Sequence, residues 1–136
     1  MELSGIIQRG AGKGAYFMQV DWVVKQCEKL LSMTPFPGTL NVQIREADFP
    51  TLDAFFLKTD FELIPDDPSF CTARLKKVTV NGVAAAVVLP GEEVRIHDTR
   101  TIELIAACNL KKRLKLGDGD TVTVSDSKNH ETSCNC

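Results

Sequence analysis

A chain of 136 residues and 15.0 kDa has room for one domain and little more. With 43% hydrophobic and 25% charged residues it has the make-up of a soluble globular protein, which excludes wholesale disorder and fibrous repeats. A formal net charge of −2 and a pI near 5.7 exclude a globally basic nucleic-acid footprint, and a chain of this size buries enough surface to fold without a metal or disulfide staple.

Met1-Glu2-Leu3-Ser4 has no basic segment with an apolar stretch behind it, so no secretory leader is expected. Leu3 to Gln8 reads as a strand that ends at Gly10-Ala11-Gly12-Lys13-Gly14, and Ala15 to Val20 reads as a second strand beyond the glycines. From Trp22 the period changes. Val23, Cys27, Leu30 and Leu31 fall on one helical face, Asp21 is placed to cap the helix, and Pro35 and Pro37 forbid its continuation. Thr39 to Ile44 alternates like a half-buried strand. Asp48 to Phe70, interrupted by Pro50, Pro65 and Pro68, reads as irregular, with Phe55, Phe56 and Phe61 folding back on the core.

Ala73 to Val80 and Val83 to Leu89 flank Asn81-Gly82, which supplies the positive φ angles of a two-residue hairpin turn. Even the apolar run Val83 to Leu89 is far short of a membrane span, which needs about 20 residues. Ile102 to Ala106 is a further strand, Asn109 can cap a short basic helix from Leu110 to Leu114, and Thr121 to Val124 follows the Gly117-Asp118-Gly119-Asp120 turn. Residues 1–125 are expected to form the domain and residues 126–136 a polar, disordered tail. The cysteines (Cys27, Cys71, Cys108, Cys134, Cys136) are odd in number and scattered, unlike a secreted disulfide framework, and Cys134 and Cys136 read as exposed thiols of the tail. Many short strands with few helices, and no regular strand–helix alternation, predict an all-β barrel with one or two short helices.

Three segments can carry chemistry. The run Gly10-Ala11-Gly12-Lys13-Gly14-Ala15 can curl so that its amides hold phosphate oxygens, with Lys13 adding a charge. It matches neither the Walker loop nor the dinucleotide fingerprint, and a flexible strand connection is the competing reading. In Pro35-Phe36-Pro37-Gly38-Thr39-Leu40-Asn41-Val42, Thr39 and Asn41 share a strand face and offer hard neutral oxygens that suit part of a Mg2+ shell. Turn chemistry alone would also explain them. Glu103 stands among apolar neighbours, where it either meets solvent or enters a pocket to take a hydroxyl proton. Asn109, Lys111 and Lys112 would then add free amides and charge nearby. His97 and His130 lie in polar stretches and read as surface residues, as do the acidic pairs Asp66-Asp67 and Glu92-Glu93.

Taken together and in this order, Gly10 to Phe17, Pro37-Gly38-Thr39-Leu40-Asn41-Val42 and Ile102-Glu103-Leu104-Ile105-Ala106 with Asn109-Leu110-Lys111 resemble the archaeal-type CTP-dependent riboflavin kinases over about residues 3–124. The resemblance implies a cradle-loop, riboflavin kinase-like barrel that moves the γ-phosphate of CTP onto the 5′-hydroxyl of riboflavin, giving FMN and CDP. It implies that Gly10 to Ala15 hold the nucleotide with Cys108, Asn109, Leu110 and Lys111, that Thr39 and Asn41 hold Mg2+, and that Glu103 contacts the ribityl chain. Glu103 as the general base is an inference from chemistry. The sequence departs from the family's pattern in three places. The threonine usual after the strand-ending proline is missing behind Pro90, with Thr99 or Thr101 as substitutes. Position 15 is Ala, and position 111 is Lys where arginine is common. A monomeric cytoplasmic protein is expected, without nucleic-acid or membrane partners. The alternatives are a non-catalytic nucleotide- or flavin-binding barrel and a barrel-type regulator. The glycine run, the Thr39–Asn41 pair and Glu103 must then meet at one mouth of the barrel.

Overall fold

The computed structural model describes residues 1–10, 18–66, 72–90 and 100–126. Seven strands occur among them: β1 (Glu2–Gln8), β2 (Leu40–Ile44), β3 (Phe61–Leu63), β4 (Ala73–Val80), β5 (Val83–Pro90), β6 (Thr101–Ile105) and β7 (Thr121–Asp126). Helices α1 (Asp21–Leu31), α2 (Phe49–Phe55) and α3 (Leu110–Leu114) and a 3-10 turn (Glu46–Asp48) join them. Several expectations fall outside the described residues: Ala11 to Ala15 with the strand beyond them as far as Phe17, Asp67, Glu92, Glu93, His97, Thr99, His130, Cys71, and residues 127–136 of the tail with Cys134 and Cys136, whereas Asp126, counted with the tail, is the last residue of β7.

All strand pairings are antiparallel. The order β4–β5–β6–β2–β1–β7 closes into a six-stranded barrel because β7 also pairs with β4, through Val78↔Asp126 and Val80↔Val124. The extra strand β3 pairs with the first residues of β4, so one edge of β4 serves β3 and then β7. The β4–β5 hairpin forms as expected, with Asn81 at φ 47° and Gly82 at φ 88°.

Strand alternation sorts the core. Leu3, Ile7, Leu40, Val42, Val78, Val80, Val87, Ile102, Leu104, Val122 and Val124 fill the barrel, and Leu52 and Phe55 of α2 join them. On the outer wall, α1 lays Val23, Cys27 and Leu31 over Leu75, Ala86 and Ile105. Burying Val23 or Leu31 in this way stabilises by roughly 1.5–3 kcal/mol each. Strand β5 is therefore buried on both faces, Ala85, Val87 and Leu89 inward and Ala86 outward, which explains its unbroken apolar run. The Cys27 thiol is pushed up to about 11, first by burial and then by the charge of Glu28, so it remains a neutral packing group.

Three local expectations are corrected. Met18 to Val20 is a turn, not the end of a strand, and it buries Met18 against the α1 layer. The N-cap of α1 is Val20, whose carbonyl accepts from Val23 and Val24 at 3.0 Å each, while Asp21 lies inside the first turn and pairs with Lys25 at 3.0 Å. The stretch after Asp48 is not irregular throughout. It holds α2 and β3, so the described residues contain three α-helices where one or two were expected. Pro50 sits in the first turn of α2, where its missing N–H costs nothing, and the chain buries Leu52 and Phe55 one turn apart. Phe55 and Phe56 meet edge to face at 4.9 Å, and Phe61 packs against the α1 layer, as the sequence suggested.

Candidate functional site

Leu40 and Val42 of β2 and Ile102 and Leu104 of β6 point into the barrel, so their alternates Thr39, Asn41 and Glu103 must face outward. Register brings them together. Asn41 lies directly opposite Glu103 across the β2–β6 ladder, and Thr39 Oγ1 donates to Glu103 Oε2 at 3.1 Å. Thr39 and Asn41 are half-buried and Glu103 is exposed. On the other side of β2, Gln8 pairs with Asn41 and the chain then reaches Gly10. A Cβ placed on Gly10 would strike the Asn41 carboxamide, coming within 3.0 Å of its Cγ. Gly10 thus lies against Asn41, and the glycine run starts beside the hydroxyl, amide and acid. They meet near one end of the barrel, on the outward face of β2 and β6, where Thr39 also borders a cleft that reaches the inward-facing Leu40, Leu104 and Ala106.

Beside this wall lies a cleft of about 200 Å3, lined by Phe36, Gly38, Thr39, Leu104, Ala106 and the segment Cys108 to Lys111. The Pro-rich turn after α1 forms one rim, held by the Phe36 amide donating to the Ala106 carbonyl at 2.8 Å. The other rim is the start of α3. Asn109 caps it as expected, its Oδ1 accepting from the Lys112 amide at 3.3 Å. Lys111 pairs with Asp118 at 2.6 Å. The turn carrying Asp118 is fastened in turn to β1, through Ile7 N–H to Asp120 O at 2.9 Å and Gly119 N–H to Ile7 O at 2.8 Å.

The structure therefore brings Gly10, Thr39, Asn41 and Glu103 into one cluster and joins Thr39 to Cys108, Asn109, Leu110 and Lys111 through one cleft. Thr101 stands two residues before Glu103 on the same outer face of β6, opposite Gln43. Sequence reasoning missed three participants. Phe36, flanked by prolines, lines the cleft. Gln43, two residues beyond Asn41, accepts at Oε1 from Gln8 Nε2 at 2.6 Å. Asp118 was read only as a turn residue. The i, i+2 alternation from Asn41 was the available signal for Gln43, whereas nothing local to Asp118 pointed to Lys111.

Hard neutral oxygens beside a carboxylate, adjoining a cleft, are groups that phosphoryl transfer to an alcohol can use. Comparison with known proteins narrows the class. A family model for CTP-dependent riboflavin kinases, described as domain of unknown function DUF120, matches residues 7–125. A riboflavin kinase of Methanobrevibacter smithii is 34% identical over 126 residues, spanning 91% of this chain and 98% of that protein. Riboflavin kinases of Methanosarcina barkeri and Methanoculleus marisnigri are 36% and 34% identical, covering 94% and 90% of this chain but only 57% and 55% of their own lengths. This chain thus spans just over half of those two relatives. It belongs to the CTP-dependent riboflavin kinase family.

Proposed function

We propose that this chain transfers the γ-phosphate of CTP to the 5′-hydroxyl of riboflavin, giving FMN and CDP. The observation that carries the reading is the convergence of Gly10, Thr39, Asn41 and Glu103, far apart along the chain, on one patch of barrel wall. Phosphoryl transfer asks for charge neutralisation, in-line placement and an oriented hydroxyl more than for a covalent nucleophile. The residues present suit those demands. Gly10 opens the run Ala11, Gly12, Lys13, Gly14 and Ala15, which holds the nucleotide phosphates together with Cys108, Asn109, Leu110 and Lys111. Glu103 receives the ribityl chain and takes the proton of its terminal hydroxyl as the oxygen attacks phosphorus. Thr101, on the same face, replaces the flavin-touching threonine that is missing after Pro90.

The donor chemistry of the site also fits Mg2+. Thr39 and Asn41 present a hydroxyl and a carboxamide oxygen side by side, both hard ligands, and phosphate oxygens and water complete such a shell. When bound, the ion neutralises charge on the transferring phosphoryl group. Thr39 and Asn41 would hold the ion through their side-chain oxygens, and Glu103 would orient the acceptor hydroxyl.

The test is direct. Purified protein is incubated with Mg2+, riboflavin and either CTP or ATP, and FMN is followed by chromatography. FMN formed with CTP is expected, and Glu103→Gln should lower turnover by about 10²–10⁴ while sparing CDP binding. No FMN from either nucleotide, despite measurable ligand binding, would replace this reading with that of a binding barrel. Near-normal turnover in Glu103→Gln would remove Glu103 as the base.

A further inference from the structure

Glu103 enters the proposed reaction on the acceptor side, yet its partner in the structure lies on the metal side. Thr39 Oγ1 donates to Glu103 Oε2 at 3.1 Å, and Asn41 faces Glu103 across the ladder. Directly opposed residues of an antiparallel pair hold their Cβ atoms roughly 4.5–5.5 Å apart, so hydroxyl, carboxamide and carboxylate form one oxygen-rich patch. A threonine hydroxyl that gives its proton to a carboxylate still has lone pairs to offer, and the carboxylate fixes the direction in which they point. Thr39 is therefore already set as a cation ligand before any substrate arrives.

Charge points the same way. Two neutral ligands bring no compensation for a divalent cation, whereas protein Mg2+ sites are ordinarily built on one or two carboxylates with substrate oxygens and water. Among the described residues no cluster of three or more His, Cys, Asp or Glu could hold a metal instead. Within the Thr39–Asn41 patch, the carboxylate is Glu103. The geometry points to Glu103 as a member of the cation site itself: a divalent cation binds at Thr39 and Asn41 without nucleotide or riboflavin, and Glu103 supplies its compensating charge and orients Thr39. This rests on the kinase reading for the placement of the metal at Thr39 and Asn41, but it assigns Glu103 a role which contact with the acceptor alone does not require.

Mn2+ serves as the probe. Its paramagnetic resonance signal is followed as it is titrated into the whole protein with neither nucleotide nor riboflavin present. Saturable binding is expected, weakened about tenfold or more in both Glu103→Gln and Thr39→Val and recovered in Thr39→Ser. Glu103 is exposed and Thr39 half-buried, so both variants should fold, and their circular dichroism and melting temperatures verify it. Unchanged Mn2+ affinity in Glu103→Gln, or no saturable binding by the unsubstituted protein, overturns the inference. The two proposals separate cleanly. Mn2+ binding without FMN synthesis removes the kinase reading alone, and FMN synthesis with Mn2+ affinity indifferent to Glu103 removes the cation role alone.

Discussion

Gly10 shows how a residue without a side chain can define a site. Its place is fixed by β1, whose last residue, Gln8, pairs with Asn41, and the chain then passes so close to Asn41 that any Cβ would strike the carboxamide. The obstacle is the end of a flexible side chain rather than backbone, so Gly10→Ala need not damage the fold. Asn41 would simply swing aside. Because Asn41 is a proposed metal ligand, that displacement should appear in function and not in stability. Gly10→Ala is expected to melt near the unsubstituted protein while losing about tenfold to a hundredfold in kcat/KM, the cost of a misplacement on the order of 1 Å. A coupled assay beside a thermal melt distinguishes the outcomes. A large fall in melting temperature would mean that Gly10 serves the barrel and not the site.

At the scale of elements, α3 is too short to be stable by itself and depends on its cap. Asn109 Oδ1 accepts from the Lys112 amide, and the Asn109 carbonyl accepts from Arg113 at 2.9 Å, so one residue fastens the first turn twice. Asn109→Ala removes the side-chain bond at a cost of about 1 kcal/mol. As that turn rims the cleft, the KM for CTP should rise several-fold with the KM for riboflavin unchanged. Equal rises in both would show that α3 does not serve the donor alone.

The legible parts of the fold were those written locally. The hairpin at Asn81-Gly82, the alternating strands and the face of α1 each announce themselves within a few residues. Period alone puts Thr39 and Asn41 on one strand face, but only the resemblance to the riboflavin kinases singled out that pair, Glu103 and the glycine run as members of a site. Helix α2 was hidden because Pro50 reads as a breaker, although in a first turn it is harmless. Asp21 looked like a cap because its type favours the position, while the turn at Met18 to Val20 sets the true start one residue earlier. The contact of Thr39 with Glu103 depends on the register of β2 and β6, which no local pattern encodes.

For the molecule as a whole, the decisive event is closure of the barrel at β4. One edge of this strand passes from β3 to β7 between Leu75 and Val78, and at the changeover the Asp60 amide donates to Leu75 O at 2.8 Å while Asp60 Oδ2 accepts from the Lys77 amide at 2.7 Å. Lys76 pairs with Val87, whose side chain points inward, so the lysine enters the barrel from the end opposite the site. Its side chain is only 12% exposed. It meets Asp126 of β7 at 3.0 Å, the Lys58 carbonyl at 3.3 Å and the face of Phe55 in α2, 5.1 Å from the ring centre. One ammonium group thus ties β4, β7 and the helix that plugs this end. Lys76→Ala removes the charge, leaves Asp126 short of a partner and opens space beneath Phe55. The loss should fall between that of an exposed pair and a buried one, about 1–3 kcal/mol, and lower the melting temperature by several degrees. Lys76→Met keeps most of the stem under the ring and should recover part of the loss. Because Thr39, Asn41 and Glu103 lie at the other end of the wall, both variants should keep the KM for either substrate below their melting range. An Ala variant that melts with the unsubstituted protein would show that the backbone ladder alone closes the barrel.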